Sequence, residues 1–350
     1  MPNDSMNSRL LVVDLTATSK NWSLTPVARS RLAASAPAGW RVHFVTAPAI
    51  SDGDGGAPPS SEALTQVANA EAYYGFGLSR AVFDAGKSLR WVHSAAAGVG
   101  SALFPEMVAS DVVLTNGAGI YAQPIAQHVL GGILHLLRSF DIAIELQRKG
   151  QWDKQPFVGD GSTVRELGDC QALVIGAGGL GSAIGEALSH FGAKCVGVRR
   201  HPDRPMPRGF ERVVGPARID EELADADVVV LSTPATAETR QLLDAGRIAR
   251  LKRGAIIANV GRGSLLDEAA LAQALEGGAL RGAVLDVFDK EPLGAQSPFW
   301  GLRNVLLTPH VSGVSTSRYW ERQLDLFTEN WVRYSEGQPL RNVVDKHEGY

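Results

Sequence analysis

Ala172-Leu-Val-Ile-Gly-Ala-Gly-Gly-Leu-Gly181 decides the fold of this chain. An apolar run typical of a strand leads into three spaced glycines, and a helical pattern follows. The first glycine permits a tight turn, the second lets the backbone approach a pyrophosphate, and the third allows close packing of the helix on the strand. Helix N–H groups then attract phosphate. We expect a dinucleotide site rather than an empty glycine turn, with contacts from Gly176, Gly178, Gly179, Leu180 and Gly181.

Short apolar runs alternate with helical patterns around this unit, which is typical of parallel α/β architecture. Candidate strands lie at 10–15, 41–46, 90–93, 111–115, 194–198, 227–231, 256–260 and 283–287. In open parallel sheets, ligands bind at the carboxyl ends of the strands. The residues predicted to contact the cofactor at this edge of the sheet are Thr233, Pro234, Val260, Gly261, Arg262, Asp286 and His310.

The strand at 194–198 ends in Arg199, Arg200 and His201. An NAD site would place an acidic residue near this position to bind the ribose 2′-hydroxyl, and the chain has none there. A basic cluster suits a 2′-phosphate, and further arginines follow at 204, 208 and 212. NADP(H) is therefore the expected cofactor, NAD(H) stays possible, and the alternative is that these arginines only cover a surface loop.

Three short motifs contain the residues of a candidate acid–base site: Asn-Val-Gly-Arg-Gly at 259–263, Asp-Val-Phe-Asp-Lys-Glu-Pro at 286–292 and Leu-Thr-Pro-His at 307–310. The guanidinium of Arg262 can bind a carboxylate through two parallel hydrogen bonds. The imidazole of His310 can donate a proton near neutral pH, and Glu291 beside it would favour its charged form. Together these groups can hold the carboxylate of a 2-oxo acid and protonate its carbonyl oxygen, while the dinucleotide supplies the hydride.

Composition excludes several other classes of protein. The 350 residues suffice for two domains, and 45% hydrophobic and 20% charged residues are ordinary for a globular protein. A net charge of −3 predicts no nucleic-acid partner, and no apolar run reaches the roughly 18 residues of a membrane span. No signal peptide is recognised at the N-terminus, so we expect a cytoplasmic protein with Cys170 and Cys195 as buried thiols. No metal is expected, because His128 and His135 share a helix face without a third ligand.

The simplest architecture is a dinucleotide-binding domain at 118–308 inserted into a discontinuous substrate domain made of 1–117 and 309–350. A long amphipathic pattern from 121 to 150 predicts one helix that bridges domains or meets a partner subunit. Glycine and proline predict a loop at 51–61. The final helical segment opens at 315–316 and places one stripe of apolar residues on a single face: Trp320, Leu324, Phe327, Trp331 and Tyr334.

These motifs together resemble the D-isomer-specific 2-hydroxyacid dehydrogenase family over nearly the whole length, most densely from 165 to 345. Further phrases of this kind are Pro-Ala-Thr-Ala-Glu-Thr at 234–239, Leu-Asp-Val-Phe at 285–288, Asn-Val-Val-Asp at 342–345 and a substrate-side loop at 90–99. The resemblance implies two doubly wound parallel-sheet domains, a Rossmann cofactor domain and a flavodoxin-like substrate domain, with a cleft between them. It also implies a homodimer built partly on the helix at 121–150.

Residue by residue, the resemblance implies that Arg262 orients the 2-oxo carboxylate and that His310 is the proton donor, with Glu291 as its partner. Asp286 resembles the aspartate near the nicotinamide, and backbone groups at Ala97 and Gly98 should meet the substrate carboxylate. Three positions depart from the family pattern: Gln127 stands where glutamate is usual, Gly100 where aspartate is common, and Gly261 where alanine is usual. The first two leave substrate choice open.

The predicted reaction is reduction of a small 2-oxo acid, such as glyoxylate or hydroxypyruvate, to a D-2-hydroxy acid with NADPH. One alternative is a phosphoglycerate-type NAD dehydrogenase, and another is a nucleotide-sensing binding protein of the same scaffold that does not turn over substrate. His93 lies on an apolar strand and is predicted to be a core residue rather than a catalytic one.

Overall fold

The structure is a computed structural model that describes residues 9–18, 22–48 and 58–349. The chain forms two compact units, one made of Met1–Ile120 with Ser315–Tyr350 and the other of Tyr121–Val314. The boundaries between the two units lie at 120/121 and 314/315, whereas the sequence analysis predicted domain boundaries at 117/118 and 308/309. His310 therefore lies in the same unit as the glycine fingerprint and not in the unit of the terminal helix.

The unit that contains the N-terminal residues holds a five-stranded parallel sheet in the order β2-β1-β3-β4-β5. This is the flavodoxin-like order of a doubly wound sheet. Its strands and first helices are β1 (Arg9–Asp14), α1 (Pro26–Ala34), β2 (Trp40–Phe44), α2 (Ser61–Val67), β3 (Ala72–Gly75), α3 (Arg80–Ala85), β4 (Trp91–Ser94), α4 (Pro105–Val108) and β5 (Val113–Asn116).

The second unit holds a seven-stranded parallel sheet in the order β12-β11-β10-β9-β6-β7-β8. Its elements are α5 (Ala122–Leu137), α6 (Phe140–Arg148), α7 (Gln155–Val158), β6 (Gln171–Ile175), α8 (Gly179–His190), β7 (Lys194–Val198), β8 (Phe210–Val214), α9 (Ile219–Leu223), β9 (Val228–Leu231), α10 (Ala245–Ala249), β10 (Ile256–Asn259), α11 (Glu268–Glu276), β11 (Gly282–Leu285) and β12 (Val305–Leu307). The fold class predicted from the sequence, with a Rossmann sheet in one unit, is confirmed.

Successive residues of the central strands of this sheet face opposite sides, and both sides are covered. Leu173 and Val229 belong to the core beneath α9, α10 and α11, whereas Val174 and Val230 pack towards α5 and α8. Burial on two faces explains why these strands are continuous apolar runs in the sequence, without polar alternation. The sheet is thus fixed from both sides, and its carboxyl edge offers stable positions for functional loops.

The chain returns to the first unit through α12 (Tyr319–Ser335). Leu324, Phe327 and Trp331 are buried in the core of that unit, with Trp320 and Tyr334 packed against it. The predicted apolar stripe is therefore confirmed. The sequence patterns missed β3 and β12, which have only four and three residues, and β8, whose apolar run is interrupted by Glu211 and Arg212.

The prediction of one helix from 121 to 150 is wrong, because Ser139 adopts a left-handed backbone conformation with φ 56° between α5 and α6. Asp141, just inside α6, receives two hydrogen bonds from Arg281, at 2.7 and 3.0 Å. The same guanidinium donates to the carbonyl oxygen of Leu136 near the end of α5, at 2.7 Å. This pair is almost fully buried, and a residue 140 positions away in sequence thus holds the break.

Two predictions fall on residues outside the described ranges, the N-terminal segment at 1–8 and the part of the 51–61 loop up to residue 57. In the ranges that are described, no helix combines the length and the apolar character needed to cross a membrane.

Candidate active site

His310 and Glu291 form a hydrogen-bonded pair beyond the carboxyl ends of β11 and β12. The imidazole Nδ1 of His310 lies 2.9 Å from Oε2 of Glu291. The other carboxylate oxygen of Glu291 accepts a hydrogen bond from the backbone N–H of Phe288 at 2.9 Å, which fixes the carboxylate. Both side chains remain partly exposed, at 40% and 36%. The ring is therefore oriented through Nδ1, and Nε2 is the nitrogen left for a reacting group.

The main chain around His310 is held by Asp286, which is fully buried. The Asp286 carboxylate accepts hydrogen bonds from the N–H groups of Val311 and Ser312 at 2.9 and 3.0 Å, and from the hydroxyl of Thr308 at 2.6 Å. The backbone N–H of His310 donates to the carbonyl oxygen of Asp286 at 2.8 Å. His310 has φ 53°, a conformation that a residue with a side chain keeps only where its surroundings impose it.

These contacts decide the charge of Asp286. Burial alone would raise its pKa, but hydrogen bonds from Ser312, Thr308 and Val311 outweigh burial, and the pKa of Asp286 lies below its ordinary value. The carboxylate is therefore ionised at neutral pH and remains an acceptor for all three donors.

Helix α5 contributes one more contact to this loop. Nε2 of His128 lies 3.1 Å from the hydroxyl oxygen of Thr308. Because Thr308 gives its only hydroxyl proton to Asp286, its oxygen must accept from His128. His128, which the sequence suggested only as an unlikely metal ligand, is thus an outer member of the hydrogen-bond network that supports His310.

Arg262 follows β10 and is exposed, with Nη1 donating to the carbonyl oxygen of Gly261 at 2.7 Å. Its loop is tied by buried Asn259, whose side chain donates to the Arg262 carbonyl oxygen at 3.0 Å and accepts from the N–H of Gly261 at 3.2 Å. A Cβ at Gly263 would lie 1.8 Å from the carbonyl carbon of Phe288. Only glycine permits this approach, which joins the Arg262 loop to the segment that leads to Glu291.

The glycine fingerprint has the geometry that a dinucleotide requires. Gly176 has φ 107°, and a Cβ at Gly181 would lie 2.2 Å from the carbonyl oxygen of Gly176, so the turn and the helix need both glycines. At Gly178 and Gly179 a Cβ would meet nothing within 4 Å, which leaves open space above the N-terminus of α8. No side chain in the described ranges caps that terminus, so its N–H groups can bind a pyrophosphate. The residues present fit the cofactor.

The other predicted cofactor contacts lie around the same sheet edge. Arg199 donates to the carbonyl oxygens of Pro202, Arg204 and Pro205, and Arg200 pairs with Glu238 at 3.0 Å. The remaining positions are half-buried Thr233, exposed Pro234, buried Val260 and buried Gly261.

Arg212, which the sequence grouped with the basic cluster, lies in β8 and pairs with Glu222 at 2.5 Å. The carboxylate of Glu222 is buried, so this arginine has a structural partner within the unit. The basic cluster predicted beside the cofactor is smaller by that one residue.

Ala97 and Gly98 lie in the other unit, just beyond β4, and both are exposed. The carbonyl oxygen of Ala97 accepts a hydrogen bond from the side-chain amide of Asn116 at 2.7 Å. His93, two residues before this loop, is fully buried among aromatic rings, with Nδ1 2.7 Å from the hydroxyl of Thr115. Burial lowers the pKa of His93 to about 3. The prediction that His93 is a core residue is confirmed.

Sequence reasoning missed Thr308 and Asn259 as supports of the site and placed Asp286 against the cofactor alone. A signal was present, because each is a polar residue at or just beyond the carboxyl end of an apolar strand. What the pattern could not give was the direction of each side chain.

Comparison with known proteins places this geometry among its relatives. Residues 130–312 match the family described as D-isomer specific 2-hydroxyacid dehydrogenase, NAD binding domain. Glyoxylate/hydroxypyruvate reductase A of Salmonella newport is 30% identical over 277 residues, which cover 76% of this chain and 83% of that protein. D-3-phosphoglycerate dehydrogenase of Archaeoglobus fulgidus is 29% identical over 267 residues, 75% of this chain but only 49% of that protein.

Among solved structures, a D-isomer specific 2-hydroxyacid dehydrogenase from Xanthobacter autotrophicus, in complex with NADPH and MES, is similar to this chain with a TM-score of 0.79. It shares 29% sequence identity, and the match covers 98% of this chain and all of that one. Both units of the chain therefore have counterparts in this relative.

Proposed function

The chain belongs to the D-isomer specific 2-hydroxyacid dehydrogenase family and is an oxidoreductase, and on that premise we propose that it reduces a small 2-oxo acid to the D-2-hydroxy acid with NADPH. Glyoxylate and hydroxypyruvate are the proposed substrate type, supported by the reductase from Salmonella newport. The observation that carries the proposal is the hydrogen bond of 2.9 Å between Glu291 and Nδ1 of His310, because it prepares an oriented proton donor.

His310 is the proposed acid. With Nδ1–H donated to Glu291, a protonated ring presents Nε2–H to the carbonyl oxygen of the substrate, and the ring is neutral after the proton leaves. In the reverse direction the neutral Nε2 accepts the hydroxyl proton. Glu291 holds one ring orientation in both directions because its own carboxylate is fixed by the N–H of Phe288.

Arg262 is the proposed carboxylate ligand. Its guanidinium is exposed, makes one hydrogen bond within the described residues, to the preceding carbonyl oxygen, and has four other N–H groups to offer. Two of these can bind the two oxygens of a carboxylate in one plane. The backbone N–H groups of Ala97 and Gly98 are proposed as further donors to the substrate carboxylate.

When bound, the reduced nicotinamide supplies the hydride that becomes attached to the carbonyl carbon. The proposed ligands of the pyrophosphate are the N–H groups at 178–181, and Asp286 stays a proposed neighbour of the nicotinamide. A preference for NADP(H) is supported by Arg199 and Arg200 at the end of β7. The partner of Arg200 is an exposed carboxylate, and such exposed pairs are weak enough for a 2′-phosphate to replace them.

We also propose a homodimer that uses the region from α5 to α7. Trp152 is fully exposed, and Val158 and Phe140 are 68% and 53% exposed, so large apolar side chains are exposed at three positions of this region. A cytoplasmic location is proposed from Cys170 and Cys195, which are both buried thiols without a disulfide.

The first experiment is the loss of nicotinamide absorbance with NADPH and NADH in parallel, against glyoxylate, hydroxypyruvate and 3-phosphohydroxypyruvate. We expect NADPH oxidation with a small acid, and His310→Ala should lower kcat by roughly 10²–10⁴-fold, which is the usual contribution of a positioned acid. His347→Ala, at an exposed histidine of the other unit, is the matched control.

Turnover only with 3-phosphohydroxypyruvate and NADH would favour the phosphoglycerate-type alternative. Tight cofactor binding without any turnover would favour a nucleotide-sensing protein. Full activity in His310→Ala would exclude the proposed acid.

A further inference from the structure

Three successive carbonyl oxygens of the loop after β4 are bound by three different donors of the same unit. The side-chain amide of Gln323 donates to the oxygen of Ala95 at 2.6 Å. The backbone N–H of Gly117 donates to the oxygen of Ala96 at 3.1 Å. The side-chain amide of Asn116 donates to the oxygen of Ala97 at 2.7 Å. All three carbonyl groups are therefore directed at protein donors.

This arrangement determines where the N–H groups of the loop point. In a trans peptide the N–H group points opposite to the carbonyl group of the preceding residue. The N–H of Ala96 bonds to the hydroxyl of Ser94 at 3.2 Å, but those of Ala97 and Gly98 have no acceptor within the ranges that the structure describes. Both residues are exposed. Two adjacent backbone donors thus face outwards, which is the arrangement that binds anions in backbone nests.

Gln323 is an unusual residue for its place in α12. It is fully buried beside Leu324 and Phe327, where a polar side chain is costly unless its hydrogen bonds are made. Its Oε1 accepts from the hydroxyl of Tyr74 at 3.2 Å, and its amide nitrogen also lies 3.0 Å from the hydroxyl of Tyr319. Both ends of the amide are used, so the orientation of the group that holds Ala95 is fixed.

Asn116 is held equally firmly at the end of β5. It is 6% exposed, and its Oδ1 accepts from the N–H of Ala118 at 3.2 Å, which leaves the amide to point at Ala97. Its own carbonyl oxygen accepts from the side chain of Asn342 at 3.2 Å. Two buried amides on different elements thus converge on alternate carbonyl groups of one loop.

We propose that Gln323 and Asn116 are positioning residues for the substrate carboxylate: Asn116 turns the N–H of Gly98 outwards through the carbonyl group of Ala97, and Gln323 anchors the start of the same loop at Ala95. The inference rests on the proposed reduction of a 2-oxo acid and adds the part of the molecule that sets its affinity for the carboxylate. Neither side chain touches the substrate. Their effect is expected in the binding of the acid, with the chemical step and cofactor binding left intact.

The test uses the near-isosteric variants Gln323→Glu and Asn116→Asp, with Gln323→Met as a neutral third variant. The two acidic variants replace the donor to a loop carbonyl by an acceptor. We expect KM for glyoxylate and the Kd of oxamate for the NADPH-bound protein to rise roughly 10- to 100-fold, since hydrogen bonds to a charged group are misaligned. The value of kcat and the Kd of NADPH should stay within about twofold. Gln338→Glu, at an exposed glutamine after α12, is the matched control.

Unchanged oxamate affinity in the variants would overturn the inference. So would a fall in kcat and in NADPH affinity as large as the rise in KM, because that pattern indicates general damage to the protein. Circular dichroism identifies a variant that fails to fold, and Gln323→Met then decides. Oxamate binding also separates this inference from the proposed function. A wild-type protein that binds oxamate but reduces no 2-oxo acid refutes the proposed reaction, while the variants still test the loop. A wild-type protein that does not bind oxamate refutes the inference.

Discussion

The loop at 95–98 and the loop at 308–312 are held by side chains with opposite hydrogen-bonding roles. In the first, buried amides of Gln323 and Asn116 donate to backbone carbonyl oxygens. In the second, the buried carboxylate of Asp286 accepts from backbone N–H groups and a hydroxyl. A donor support leaves the loop's own N–H groups for a ligand. An acceptor support consumes them, so that loop can act only through a side chain, which here is His310.

This difference leads to separate kinetic effects. Damage to the amide supports should weaken binding of the acid, because the backbone donors are then misdirected. Damage to the carboxylate support should slow the proton transfer, because the imidazole is then carried by a less ordered main chain. Substitutions in each support show whether the two effects are separate.

The largest effect is expected for Asp286→Asn. An amide cannot accept from all three donors, and its NH2 group would face an N–H or hydroxyl that also donates. Hydrogen bonds to a charged group contribute roughly 1.5–3 kcal/mol each, so kcat should fall about 10- to 100-fold. KM for the 2-oxo acid should change far less. Steady-state kinetics give kcat and KM, and the Kd of NADPH shows whether cofactor binding is intact.

Asp289→Asn is the control for that prediction, because it removes a carboxylate from an exposed position of the same segment. A rise in KM of Asp286→Asn with normal kcat would show that the two loops do not divide binding from proton transfer as described.

An intermediate effect is expected for the pH dependence of stability. Burial lowers the pKa of His93 to about 3, whereas an unfolded histidine titrates near 6.5. The unfolded state therefore binds more protons between these values, and stability falls as the pH drops below about 6.5. Between pH 7 and pH 5, His93 should cost about 2 kcal/mol of unfolding free energy.

The measurement is urea unfolding at both pH values for the wild type and His93→Phe. The hydroxyl of Thr115 keeps the indole N–H of Trp91 as a partner in the variant, at 2.9 Å. His347→Phe is the exposed control. An equal loss of stability on acidification in the wild type and in His93→Phe would contradict the role of this ring. Asp286 has the same sign in a more acidic range: its pKa is lowered, so its contribution is intact at neutral pH and is lost as the pH falls through the usual range of a carboxyl group.

The sequence predicted those parts of the molecule that local chemistry determines. The strand, the glycines and the helix at 172–190 are adjacent in sequence, so their pattern suffices. The Glu291–His310 pair was predicted from the short motifs that contain the two residues and from the family resemblance. The break at Ser139 was not predicted, because it depends on Arg281, which lies far along the chain while the apolar repeat continues through the break.

The supports of the two loops were missed for a related reason. Gln323 follows the predicted stripe of α12, at three residues after Trp320, and a polar residue at such a position indicates a buried hydrogen bond. The pattern does not tell which group 228 residues away receives that bond. Residue type can therefore show that a support exists, and only the fold shows which loop it supports.

The smallest effect is expected for Thr308→Val, which removes one neutral donor to Asp286 and the acceptor of His128 while keeping the shape of the side chain. The N–H groups of Val311 and Ser312 still bind the carboxylate, so the loop keeps two of its three donors. A hydrogen bond to a charged group contributes roughly 1.5–3 kcal/mol, and at the lower end of that range kcat should fall roughly tenfold at nearly constant KM. Thr308→Ser retains the hydroxyl and should stay within about twofold of the wild type. Stopped-flow single turnovers give the chemical step directly. Equal losses in the valine and serine variants would mean that the presence of the hydroxyl does not determine the effect, and the carboxylate-centred account of this loop would then be wrong.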